Sequence, residues 1–199
     1  TVIYIVNENT RESMIFGMKN DNFSSGMVKY VGHEIRAVIM NKLEMDVRDT
    51  VLLANAESIA VEASMVAYEG VVIAAERDAG SLRTMEENAS KFGTHNIEII
   101  PEITVEALEK LPTPRLAFIV AQESTIENDI VTLLKVNPKI KFIIYTLELD
   151  ILADIKYLMK KHGVDVTEVM QIAVSKVDKN GVFVAQPAPW MITCEVKEK

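Results

Sequence analysis

Few residues in this chain are spaced for chemistry. The histidines, His33, His95 and His162, are scattered and form no i, i+4 pair of the kind that grips a metal ion. They read as surface or capping groups. The single cysteine, Cys194, lies in an alternating terminal run with no histidine beside it, which is the pattern of a packed thiol and not of a nucleophile. Ser24-Ser25-Gly26 lacks the Gly-x-Ser-x-Gly elbow and reads as loop. Neither a four-ligand metal site nor a disulfide framework can be written from this set. What remains is polar chain at the ends of apolar runs. Asn55-Ala56-Glu57-Ser58 follows one of them, and Glu76-Arg77-Asp78 closes another, with Asp78 placed to cap the next helix.

Those runs define the elements. Short apolar stretches at 50–54, 71–76, 97–100, 116–121 and 140–145 alternate with amphipathic segments, which predicts a parallel sheet covered on both faces. Helices are expected over 33–44 and 80–92, around Ile126, Ile130 and Leu133, and from Leu149 to Met159. Lys160, Lys161, His162 and Gly163 then supply a basic end and a glycine cap. Residues 168–177 and 182–196 read as two strands around Asp178-Lys179-Asn180-Gly181, so the sheet should finish in an antiparallel hairpin. An edge strand at 2–6 and irregular chain at 7–26 complete the reading.

Composition narrows the class. The 199 residues are 49% hydrophobic and 25% charged, as in an ordinary globular domain. Lys plus Arg number 21 against 29 for Asp plus Glu, and the net charge of -8 argues against nucleic acid and anionic membranes as partners. No run approaches the roughly 18 to 20 apolar residues of a membrane span, and nothing reads as a signal peptide. A cytoplasmic protein is expected.

The layout resembles the Rossmann-like fold of class I S-adenosylmethionine-dependent methyltransferases. Within that class the chain is similar, from about residue 26 to 194, to the decarboxylating precorrin-6Y C5,15-methyltransferase subunit of cobalamin biosynthesis. The residues that carry the likeness include His33-Glu34-Ile35-Arg36-Ala37, Val61-Glu62-Ala63, Ala75-Glu76-Arg77-Asp78, Asn88-Ala89-Ser90-Lys91-Phe92-Gly93, Gln171-Ile172-Ala173-Val174-Ser175 and Pro189-Trp190-Met191-Ile192. The resemblance implies cofactor contacts at Asn55, Glu57, Glu76, Glu102 and Ala121. Glu76, 22 residues after Ala54, would accept the ribose hydroxyls. It further implies a precorrin tetrapyrrole substrate, a homo-oligomer with Trp190 and the terminal strands in its contacts, and an N-terminal extension (1–28) before a methyltransferase-like domain (29–199).

The cofactor loops depart from the family pattern. Its D-x-G-x-G-x-G loop is here Leu53-Ala54-Asn55-Ala56-Glu57-Ser58, without glycine, and glycine is about 4% of the chain against about 7% typically. Pro101-Glu102 stands for a Gly-Asp pair, and Ala121-Gln122-Glu123-Ser124 for a glycine-rich stretch. Lys29, Arg36 and Arg77 are the cations nearest a pocket mouth by placement, though each reads first as a solvated surface charge. Two functions therefore stand: a methyltransferase that joins methyl transfer to decarboxylation of an acetate side chain, or a non-catalytic relative that keeps the fold and the assembly surface. A dinucleotide-dependent oxidoreductase is a poor third, because no Gly-x-Gly-x-x-Gly is present.

Overall fold

The computed structural model describes residues 16–24 and 31–196. The edge strand expected at 2–6 and much of the irregular stretch at 7–26 fall outside them, as does Lys29. Seven strands share one sheet: β1 (Thr50–Ala54), β2 (Val71–Ala75), β3 (Ile97–Ile100), β4 (Leu116–Val120), β5 (Lys141–Thr146), β6 (Val164–Gln171) and, last in the chain, β9 (Trp190–Val196). The spatial order is β3-β2-β1-β4-β5-β9-β6, the first five parallel and β9 antiparallel to both neighbours. Val51 and Leu53 of β1 face the layer of α1 (His33–Leu43), α2 (Glu57–Val66) and α3 (Ala79–Phe92). Leu52 and Ala54 face the opposite layer, α4 (Val105–Leu108), α5 (Ile126–Val136) and α6 (Leu149–Lys161). Burial on both faces is why β1, β2, β4 and β5 read as nearly continuous apolar runs.

Local signals set the helix ends. Asp78 caps α3 by accepting from Ser81 N–H at 2.8 Å, as the sequence predicts, and Gly93 ends the helix at φ +64°. Helix α2 is not foreseen from periodicity, because eight of its ten residues are buried and it has no polar face to mark the turn.

The terminal hairpin is present but divided. Its outer arms are β6 and β9, while its tip forms a separate ribbon of β7 (Ser175–Val177) and β8 (Phe183–Ala185). Pro187 and Pro189, lacking N–H groups, stand between β8 and β9 and interrupt the ladder there. The turn is a three-residue loop with Gly181 at φ +78°, the glycine position of a type I turn with a G1 bulge. Cys194 is fully buried in β9 opposite Phe142, and burial pushes its thiol up to about 12, so it packs as a neutral group.

Candidate functional site

In a parallel sheet the ligand crevice opens at the carboxyl ends of the strands, where the order reverses between β1 and β4. Asn55 stands at that point. It adopts φ +55°, a left-handed conformation that glycine takes without strain, and its N–H bonds Ala75 O at 3.0 Å. Its amide Nδ2 crosses to Val120 O at 3.1 Å and so ties the end of β1 to the end of β4. A glycine would leave that gap open; Asn55 bridges it.

Helix α2 begins at the next residues with no side-chain cap of its own. Glu76, just beyond β2, takes that role by accepting from Ala56 N–H at 2.9 Å. The carboxylate expected to hold a ribose is thus engaged, at least through one oxygen, by the chain itself. Glu76 is 2% exposed and Glu57 7%. Burial pushes Glu76 up to about 7, the neighbouring Glu57 and Asp78 adding to the effect and the backbone N–H groups of Ala56 and Glu57 opposing it. Glu57 is also raised to about 7 by burial, with Asp78 adding. Its Oε2 is buried without a partner.

Across the crevice Arg77 Nη2 bonds Asp129 Oδ1 at 2.6 Å, joining the end of β2 to the first turn of α5. Asp129 is fully buried, and its carboxyl is raised by that burial against the opposing Arg77, with Glu102 adding to the rise. Glu102 itself is exposed, and Ala121 is buried just past β4. The structure therefore groups Asn55, Glu57 and Glu76 tightly, reaches Glu102 through Asp129, and leaves Ala121 as wall. The Arg77–Asp129 pair has no sequence signal, since its members are 52 residues apart.

Arg36 corrects the reading of a surface charge. It is fully buried, with Nε on Glu62 at 2.5 Å, Nη2 on the Met18 carbonyl and its carbon 4.6 Å from the Phe23 ring centre. Arg77 is corrected in the same way, being ion-paired and partly buried. Neither Arg36 nor Arg77 stands as a free cation for substrate carboxylates. A separate groove of about 400 Å³ between α5 and α6 is rimmed by Glu123, Glu127, Asp150 and Asp154, with Lys161 bonded to Glu127. That rim would repel a polycarboxylated tetrapyrrole.

Tested against S-adenosylmethionine, these residues do not fit. Asn55 bridges the gap, Glu76 is turned onto the loop, and Glu57 buries an unpartnered carboxyl oxygen beside them. No helix among the described residues is long and apolar enough to cross a membrane.

A family model described as precorrin methyltransferase domain matches residues 26–196. Among solved structures, a precorrin-6Y C5,15-methyltransferase from Geobacter metallireducens superposes with a TM-score of 0.83 at 24% identity, covering 92% of this chain and 98% of that one. A precorrin 8w decarboxylase from Methanobacterium thermoautotrophicum gives 0.76 at 19%, covering 90% and 100%. The C-terminal domain of the Rhodobacter capsulatus precorrin-6Y C5,15-methyltransferase gives 0.71 at 16%, covering 92% and 99%. No curated protein matches the chain.

Proposed function

The chain belongs to the precorrin methyltransferase domain family, and from that premise we propose that it serves cobalamin biosynthesis in the cytoplasm without itself moving methyl groups from S-adenosylmethionine to a tetrapyrrole. It is a family member that keeps the fold and an assembly surface. The observation that carries this is the crevice bonded to itself, Asn55 Nδ2 to Val120 O and Ala56 N–H to Glu76. Glu57 supports it: its buried, unpartnered carboxyl, raised to about 7, meets an anionic ligand with more charge as pH rises, and every 1.4 kcal/mol of that repulsion is about tenfold in affinity. S-adenosylhomocysteine should accordingly bind at least about 10 to 100 times more weakly than to a relative with the glycine-rich loop.

Calorimetry with S-adenosylhomocysteine, beside incubation with methyl-labelled S-adenosylmethionine and precorrin substrate, tests the reading. Weak binding and no label transfer are expected. Low-micromolar binding with transfer would overturn it in favour of an active methyltransferase, the reading that Glu76 at the end of β2 favours. The proposed assembly is a homo-oligomer. Its surface is the β7–β8 ribbon, where Val177, Val182, Phe183 and Val184 are all exposed, together with the adjoining terminal strands.

A further inference from the structure

Outside the crevice, the groove between α5 and α6 carries features that neither the fold nor the proposed function uses. Its volume is about 400 Å³, and Ile126 from α5 closes its floor together with Ile151 and Ile155 from α6. Leu158 is half-buried on its wall, and Tyr157 is 76% exposed. Leu147 and Leu149, just before and at the start of α6, are exposed as well. Among the described residues outside the terminal hairpin, three of the five large apolar or aromatic side chains that reach solvent therefore lie in one stretch, 147–157.

The charge around that floor is one-sided. Asp150, Asp154, Tyr157 and Lys161 follow one another at helical spacing and form one stripe along α6, while Glu123 and Glu127 line the groove from the start of α5. Lys161 is held by Glu127 at 2.6 Å, where His162 also reaches. Among the described residues no cation pairs with Glu123, Asp150 or Asp154. The helix dipole favours Asp150, which sits in the first turn of α6, but not Asp154, one turn further in. An apolar floor bordered by unpaired acids is complementary to a helix with leucines on one face and lysines or arginines beside them. The stripe from Asp150 to Lys161 is about 16 Å long, the rise of three helical turns, and so matches the i, i+3, i+4 and i+7 anchors of such a helix. A second copy of this chain is the poorer occupant, since it brings a net charge of -8 to an acidic face.

We propose that the groove between α5 and α6 is a docking site for a basic amphipathic helix of another protein. The partner's apolar side chains lie over Leu158 and Tyr157, and its cations stand beside Asp150, Asp154 and Glu123. This contact goes beyond the family reading and does not depend on whether S-adenosylmethionine binds.

Fluorescence anisotropy of the full chain with a labelled helical peptide of about fourteen residues, leucines at that spacing and lysines beside them, tests the proposal. It should bind at least about tenfold tighter than a peptide of the same composition whose order breaks the apolar face, and weaken as salt rises. Asp150→Asn with Asp154→Asn should lower the affinity at least about tenfold, and Tyr157→Ala at least about threefold. Glu86→Gln with Glu87→Gln removes the same charge from exposed positions on α3, in the opposite layer, and should leave the affinity within about twofold. All five side chains are exposed, so unchanged melting of each variant separates lost docking from lost fold. An equal loss from the α3 pair would reduce the effect to net charge and overturn the site. Equal binding of the reordered peptide, or of spermine in place of the helix, would overturn the helical partner. A change in the sedimenting mass of the chain alone on altering Asp150 and Asp154 would assign the groove to a second copy and overturn it as well.

Discussion

Arg36 occupies α1 with no exposed surface, and its guanidinium is taken up by Glu62, Asn20, Ser58 and the Met18 carbonyl. Glu62 in turn accepts from Gly17 N–H at 2.8 Å and Met18 N–H at 2.9 Å, so one ion pair fastens residues 16–24 to α1 and α2. Removing one partner of such a pair leaves the other charge buried, at a cost of about 3 to 5 kcal/mol. Arg36→Ala or Glu62→Ala should lower the unfolding midpoint by that order in denaturant titration; a loss under about 1 kcal/mol would show the pair to be dispensable. Glu57 and Glu76 act in the opposite direction. Both carboxyls are raised from 4.5 to about 7 in the folded chain, so the native state binds more protons than the unfolded one between those values. Their contribution is fully present below about 4.5 and is lost as pH rises through about 7, on the order of 3 kcal/mol for either carboxyl taken alone. Denaturation midpoints should therefore fall from pH 5 to pH 8, and Glu57→Gln should flatten that slope. An unchanged slope in the variant would remove Glu57 from the account.

At the scale of elements, β9 carries the sheet's far edge because it pairs with β5 on one side and β6 on the other. Deleting residues 182–199 removes β9 and strands β6, so the product should show no cooperative thermal transition. The ribbon is different, since β7 and β8 pair only with each other. Replacing residues 175–185 with a short turn should keep a cooperative transition while lowering the mass seen in sedimentation, and an unchanged mass would move the assembly surface elsewhere. The parallel core was legible in the sequence because buried strands and amphipathic helices advertise themselves by period. Helix α2 was not, because a helix buried all round has no period to read. The split hairpin was half legible: Asn180-Gly181 marks the turn, while the break falls where Pro187 and Pro189 lack N–H groups, and across it Pro189 O accepts from Ile172 N–H at 3.0 Å. In the site, the loop substitutions could be read in sequence, but the Asn55 bridge and the Arg77–Asp129 pair are long-range contacts without a local pattern.

Taken as a whole molecule, the chain separates its frame from its site. The sheet order, both helical layers and Glu76 after β2 are in place, whereas the departures lie in loops outside the strand ladders. A frame held by two-faced burial does not need the loop at 53–58 to be closed. Replacing that loop with a longer D-x-G-x-G-x-G loop should therefore leave the fold intact. The graft loses the Asn55 hydrogen bond, worth about 1 kcal/mol, and gains by removing the buried acid of Glu57, so stability should stay within about 2 kcal/mol of the parent. It also reopens the gap between β1 and β4, frees Glu76 from the Ala56 N–H, and removes the buried, unpartnered carboxyl of Glu57. Affinity for S-adenosylhomocysteine should then rise about 10- to 100-fold in calorimetry. A graft that melts like the parent yet gains no affinity would place the defect beyond the loop, at Arg77, Asp129 and Glu102, where the ion pair and its acidic neighbour would have to be rebuilt as well.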